Sequence, residues 1–155
     1  METAVFDAIE EYHSEDIMSI NHSRLIQRIS VALENYDDEF DTFPELEIEL
    51  PTGKVKPDIC VYPNLPVDWL NDVIYFTQAP LIAIEILSPR QAMSDLTDKA
   101  FKVYFPGGVK VVWLVIPMLR MMHILLPDGS TKTFSDNNMI DPITGINIPL
   151  SHIFR

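Results

Sequence analysis

The run Leu81-Ile82-Ala83-Ile84-Glu85-Ile86-Leu87 constrains this 155-residue chain more than any other part of it. A continuous apolar stretch of this length, closed by Ser88-Pro89, predicts a strand at the centre of a sheet covered on both faces. Glu85 interrupts it. A charge in the middle of a doubly covered strand is costly unless a cation or a metal compensates it. Its functional reading is a buried ligand. Its structural reading is an exposed strand end or a carboxylate tied to a lysine.

The rest of the pattern builds a layered fold around that strand. Leu25, Ile29, Ala32, Leu33 and Tyr36 recur at three- and four-residue steps and predict a helix over 18–36, stopped by Asp37-Asp38-Glu39. Strict alternation over Glu45–Leu50, the turn Pro51-Thr52-Gly53 and the run Val55–Tyr62 predict a hairpin. Pro57 has no N–H to give a ladder, so it marks an edge, a start or a bulge. Residues 63–80, with Pro63, Pro66, Pro80, Trp69, Tyr75 and Phe76, read as a loop with one helical turn, packed down by its aromatics. A helix over 92–104, capped by Ser94 or Asp95, leads through Gly107-Gly108 into a strand over Val109–Ile116. Leu119–Leu126 and Lys132–Phe134 form a late hairpin, and Ile146, Ile148 and Leu150 anchor the tail. The order predicts an α/β fold, a mixed central sheet flanked by helices with additional β-hairpins. Strand, helix and strand over 81–116 should join parallel neighbours.

The length suits one domain over 17–155 behind an acidic leader over 1–16. No apolar run approaches a membrane span, and Met1–Asp16 is acidic rather than signal-like. With Cys60 as its one cysteine, the expectation is a cytoplasmic protein without disulfides or membrane contact. The net charge of −12 sits in the first third. Residues 1–50 hold 14 acids against Arg24 and Arg28, whereas 51–155 hold nine acids and nine bases. That balance opposes non-specific nucleic-acid binding but allows a local basic site near Lys99, Lys102 and Lys110.

Asp58 follows Pro57 in a second strand. Two carboxylates on neighbouring strands can share a hard divalent ion that keeps part of its water. His13, His22, His123 and His152 lack zinc-like spacing. Gly107-Gly108 reads as a turn, Ser88 as a strand terminator, and Cys60 as core. Trp113, Met118, Met121 and Met122 read as packing or subunit contact.

Taken in order, Lys56-Pro57-Asp58-Ile59-Cys60-Val61-Tyr62, Ile84-Glu85-Ile86-Leu87-Ser88-Pro89, Asp95 to Lys99, Tyr104, and Gly108-Val109 to Val115 form a known succession. From about His22 to the tail the chain resembles a restriction-endonuclease-like domain family of the PD-(D/E)XK nuclease superfamily. The resemblance implies a restriction-endonuclease-like fold and hydrolysis of DNA phosphodiesters with Mg²⁺ or Mn²⁺. It makes Asp58 and Glu85 catalytic metal ligands, with the carbonyl of Ile86 completing the protein side. The superfamily lysine two residues after the glutamate is replaced here by Leu87, and Lys99 on the following helix is the match. In the pattern the lysine precedes the tyrosine by four residues; here Lys99 precedes Tyr104 by five, which leaves Lys102 as the alternative. His22 is an auxiliary candidate. A homodimer would supply a second site or a groove, with Leu119–Met122 and the tail as apolar contact. The alternative is a catalytically silent nuclease-fold domain serving protein interaction or assembly.

Overall fold

The computed structural model describes residues 18–155, so the leader over 1–16 lies outside the described residues. Helix α1 (Ile20–Leu33) starts where Ser19 accepts a hydrogen bond from the His22 N–H, and it buries His22, Leu25, Ile29 and Leu33. A short 3₁₀ turn, Glu34–Tyr36, finishes it.

The first strands differ from expectation. Four appear: β1 (Phe40–Pro44), β2 (Ile48–Leu50), β3 (Gly53–Val55) and β4 (Ile59–Pro63). The alternation from Glu45 is cut short because Glu45 takes a left-handed φ of 53°. The Val55–Tyr62 run is split at Pro57-Asp58. As a result β2 and β3 form a small separate hairpin, while β4 pairs antiparallel with β1 and β5 (Ile82–Ile86).

After β5 come α2 (Met93–Lys99), a π-helical turn (Ala100–Tyr104) and β6 (Val111–Ile116). The helix begins before Ser94 or Asp95. Its cap is Ala92, whose N–H is taken up by the Asp95 carboxylate at 3.2 Å. Gly107 is required at the exit. A Cβ there would stand 2.7 Å from the Val103 carbonyl and 2.8 Å from Leu50. β7 (Met121–Leu125) and β8 (Thr131–Phe134) form the late hairpin. β9 (Asn138–Ile140) and β10 (Asn147–Pro149) make another, followed by α3 (Leu150–Ile153).

The main sheet runs β1-β4-β5-β6-β7-β8, with β5 and β6 its parallel pair. Side chains alternate between two cores. Ile59, Val61, Ile82, Ile84, Ile86 and Trp113 pack under α1 and the tail, where Ile146, Ile148 and Leu150 are buried as expected. Cys60, Tyr62, Ala83, Val112 and Leu114 pack under α2, the π turn and the β2–β3 hairpin. The architecture is α/β, a mixed sheet flanked by helices with extra hairpins.

The 64–80 loop holds no helical turn. Phe76 packs edge-on against Tyr62, but Trp69 is 92% exposed and holds nothing down. Among the described residues no helix is long and apolar enough to cross a membrane.

Candidate active site

Register brings the two carboxylates together. Ile59 stands opposite Ile84, so one step further Asp58 stands opposite Glu85, just before β4 begins. Both fall on the Cys60–Ala83 side of the sheet by strand parity. Their bonds interlock: the Asp58 N–H donates to Glu85 Oε1 at 3.1 Å, and the Ile86 N–H donates to Asp58 Oδ2 at 2.7 Å. Asp58, Glu85 and Ile86 therefore meet at the end of β5. A one-residue slip would turn Glu85 into the opposite core.

Lys99 reaches them from α2. Its ammonium lies 3.0 Å from Glu85 Oε2 and 5.9 Å from the centre of the Tyr104 ring. Lys102 faces solvent and pairs loosely with Asp98. The π turn explains why a five-residue spacing still works. Five residues of α-helix rotate by about 500°, leaving the ends about 140° apart. A π turn absorbs one inserted residue, and here Phe105 N–H bonds to the Ala100 carbonyl at 2.9 Å. Lys99 and Tyr104 thus both face the sheet, although the sequence separates them by an extra step.

His22 enters from α1, with Nε2 2.9 Å from Asp58 Oδ1. Burial works against its protonation, but Asp58, backed by Glu85 and Glu45, outweighs that and raises the imidazole above its usual pKa. Burial raises Glu85 above the ordinary carboxylate range; Lys99 opposes this and Asp58 adds to it. Tyr104 is fully buried, and burial followed by the charges of Glu85 and Asp58 pushes its hydroxyl well up. Burial likewise pushes the Cys60 thiol to about 12, which makes it inert core rather than a nucleophile.

His22, Asp58, Glu85, Ile86 and Lys99 line one cleft of about 440 Å³. Sequence reasoning did not place its other polar residues there: Glu45, Lys54, Lys56 and Gln91. The nearest signal was Lys56, next to Pro57-Asp58. Lys54 rests over the Tyr75 ring at 4.3 Å, and Tyr75 has a φ of 61°.

The donor set suits a hard divalent cation. It offers two carboxylates, the ligand class that Mg²⁺ and Mn²⁺ accept with retained water. One buried polar atom nearby, His22 Nδ1, lacks a hydrogen-bond partner among the described residues. That suits a site meant to receive a polar guest. Among the described residues no three His, Cys, Asp or Glu side chains form a ready metal cage, so water would supply the remaining ligands.

Residues 10–150 match the model of the Uma2 family, described as "Putative restriction endonuclease". The fold is similar to a crystal structure of a "putative nuclease belonging to DUF820" from Anabaena variabilis, with a TM-score of 0.74. The two share 21% identity over 88% of this chain and 81% of the other. No curated protein matches the sequence.

Proposed function

Since the chain belongs to the Uma2 family of restriction-endonuclease-like proteins, we propose that it is a metal-dependent endonuclease that hydrolyses DNA phosphodiesters in the cleft over β5. The observation that carries this is the interlocked pair Asp58–Glu85 with the Lys99 ammonium 3.0 Å from Glu85. Asp58, Glu85 and the Ile86 carbonyl would hold Mg²⁺ or Mn²⁺. Bound there, the ion would lower the pKa of its water and neutralise charge on the phosphoryl oxygens. Lys99 orients the attacking water or donates to the non-bridging oxygen that gains charge. His22 fixes Asp58 from the opposite side. Lys54 and Lys56, on the rim, meet flanking phosphates.

Metal binding supplies the first test. Excess Mn²⁺, near 100 times its Kd, should stabilise the wild type by about 2.7 kcal/mol, raising the melting temperature by roughly 5–10 °C. Asp58→Ala and Glu85→Ala should show no such rise and no cleavage of plasmid DNA. An unshifted wild type in millimolar Mn²⁺ would refute the metal site.

One observation favours the catalytically silent reading. The Glu85–Lys99 ion pair alone accounts for a charge inside β5. A wild type that cuts neither plasmid nor single-stranded DNA with either ion would select it. We also propose a cytoplasmic homodimer; Met118 and Leu119 expose apolar surface at the β6–β7 turn, whereas Met122 and the tail residues Ile146, Ile148 and Leu150, expected at the contact, are buried in the core. Light scattering should give twice 17.7 kDa, and a particle of 17.7 kDa at high concentration would contradict the dimer.

A further inference from the structure

Four of the five arginines lie away from the carboxylates, around the outer face of α1. Arg24 and Arg120 line one recess of about 220 Å³ with Asn21 and Arg155. Arg24 and Arg28, one helical turn apart, line a shallower one with Ser23 and Gln27. Among the described residues no acidic side chain lines either recess. Among the described residues, Arg24, Arg28 and Arg120 therefore form a positive strip in a chain whose net charge is −12. The Arg24 guanidinium is steadied by a 2.8 Å hydrogen bond to the Arg155 backbone oxygen.

The strip connects to the cleft. A third recess, lined by Ser19, Asn21, Ser88, Gln91, Pro117 and Met118, shares Gln91 with the carboxylate cleft. It shares Asn21 and Pro117 with the arginine recess. Among the described residues its lining carries no charged side chain.

We infer that this path is a track for the sugar–phosphate backbone of the nucleic acid. One phosphodiester lies at Asp58 and Glu85, polar groups near Gln91 and Asn21 carry the strand across, and Arg24, Arg28 and Arg120 bind phosphates further along. Arginine suits the role because its fork donates two hydrogen bonds to one phosphate. The inference rests on the nuclease reading and adds where the strand leaves the cleft. The track reads no base and confers no sequence preference.

The test uses the 155-residue chain with metals chelated, so that binding is measured without cutting. The probe is a fluorescein-labelled single-stranded 20-mer, followed by anisotropy at several salt concentrations. Arg24→Ala combined with Arg120→Ala should weaken binding at least tenfold. It should also reduce the slope of log K against log salt by about 1.4, two phosphate contacts at about 0.7 each. Lys132→Ala on β8, outside the track, should change neither. An unchanged slope in the double variant overturns the track, as does a wild type that fails to bind at low salt. Residues 1–17 carry six acids and no Lys or Arg, and are the rival occupant. Unchanged DNA affinity with faster proteolysis inside 1–17 would assign the arginines to that segment and overturn the proposal. The nuclease reading fails separately. Loss of cleavage and of the Mn²⁺ shift with arginine-dependent binding retained would remove the enzyme and keep the track.

Discussion

Lys99→Ala should reduce Mn²⁺-dependent cleavage by about 10²–10³-fold, the usual cost of losing one donor aimed at developing charge. Metal binding should survive. The Lys99 ammonium sits on Glu85 Oε2, so removing it leaves both carboxylates in place and frees one oxygen of a competitor. The Mn²⁺-induced rise in melting temperature should therefore be at least as large as in the wild type. Lys102→Ala, whose side chain is 76% exposed, should cut at the wild-type rate. The variant also predicts a pH effect with metal chelated. Lys99 is the main group holding the Glu85 pKa down, and without it burial and the Asp58 charge raise that value further. A carboxyl whose folded pKa lies above its unfolded value favours the folded state while protonated. The Lys99→Ala protein should thus be most stable below the unfolded carboxylate pKa and lose that stability as pH rises through the raised value. Equal cleavage by Lys99→Ala and wild type would rule out the lysine's role. Loss of the Mn²⁺ shift together with activity would show that Lys99 only holds the site's shape.

Asp141→Ala should lower stability by about 3 kcal/mol, the cost of stranding a buried donor and breaking a shared network. Asp141 is 1% exposed. One oxygen accepts from the Trp113 indole N–H, and the other from the N–H groups of Ile143 and Thr144 at 2.7 and 2.9 Å. The indole lies fully buried in the core under α1 and cannot turn to water. The melting temperature should fall by roughly 6–12 °C. Cleavage per folded molecule should be unchanged, because Trp113 and Glu85 point to opposite faces of the sheet. A fall under 1 kcal/mol in urea unfolding would refute this account of the Trp113 anchor.

These two acids show what sequence could and could not disclose. Glu85 was legible because six apolar neighbours make one charge conspicuous. Asp141 is as deeply buried, yet Asp141-Pro142 with Gly145 nearby looks like ordinary turn chemistry. Its partner Trp113 is 28 residues away, beyond any local pattern. Asp58 was readable beside Pro57, which also broke the strand. Phe40–Pro44 was missed because its role as an edge depends on pairing with β4. The π turn left a trace, the extra residue between Lys99 and Tyr104, but spacing alone does not reveal where a helix absorbs an insertion. The arginine track left none, since Arg24, Arg28 and Arg120 are gathered only by folding.

The carboxylates and the lysine also sit on supports of unequal firmness. Glu85 belongs to a strand buried at every position and bonded on both edges, and its amides should exchange only when the whole molecule unfolds. Lys99 ends a seven-residue helix that runs into five π-helical residues, a support that can open locally at much lower cost. The proposed ion site therefore shifts only at the pace of global unfolding, while the ammonium can swing away and return many times in that interval. Arrival of substrate or release of product can be gated by the helix while the sheet stays still.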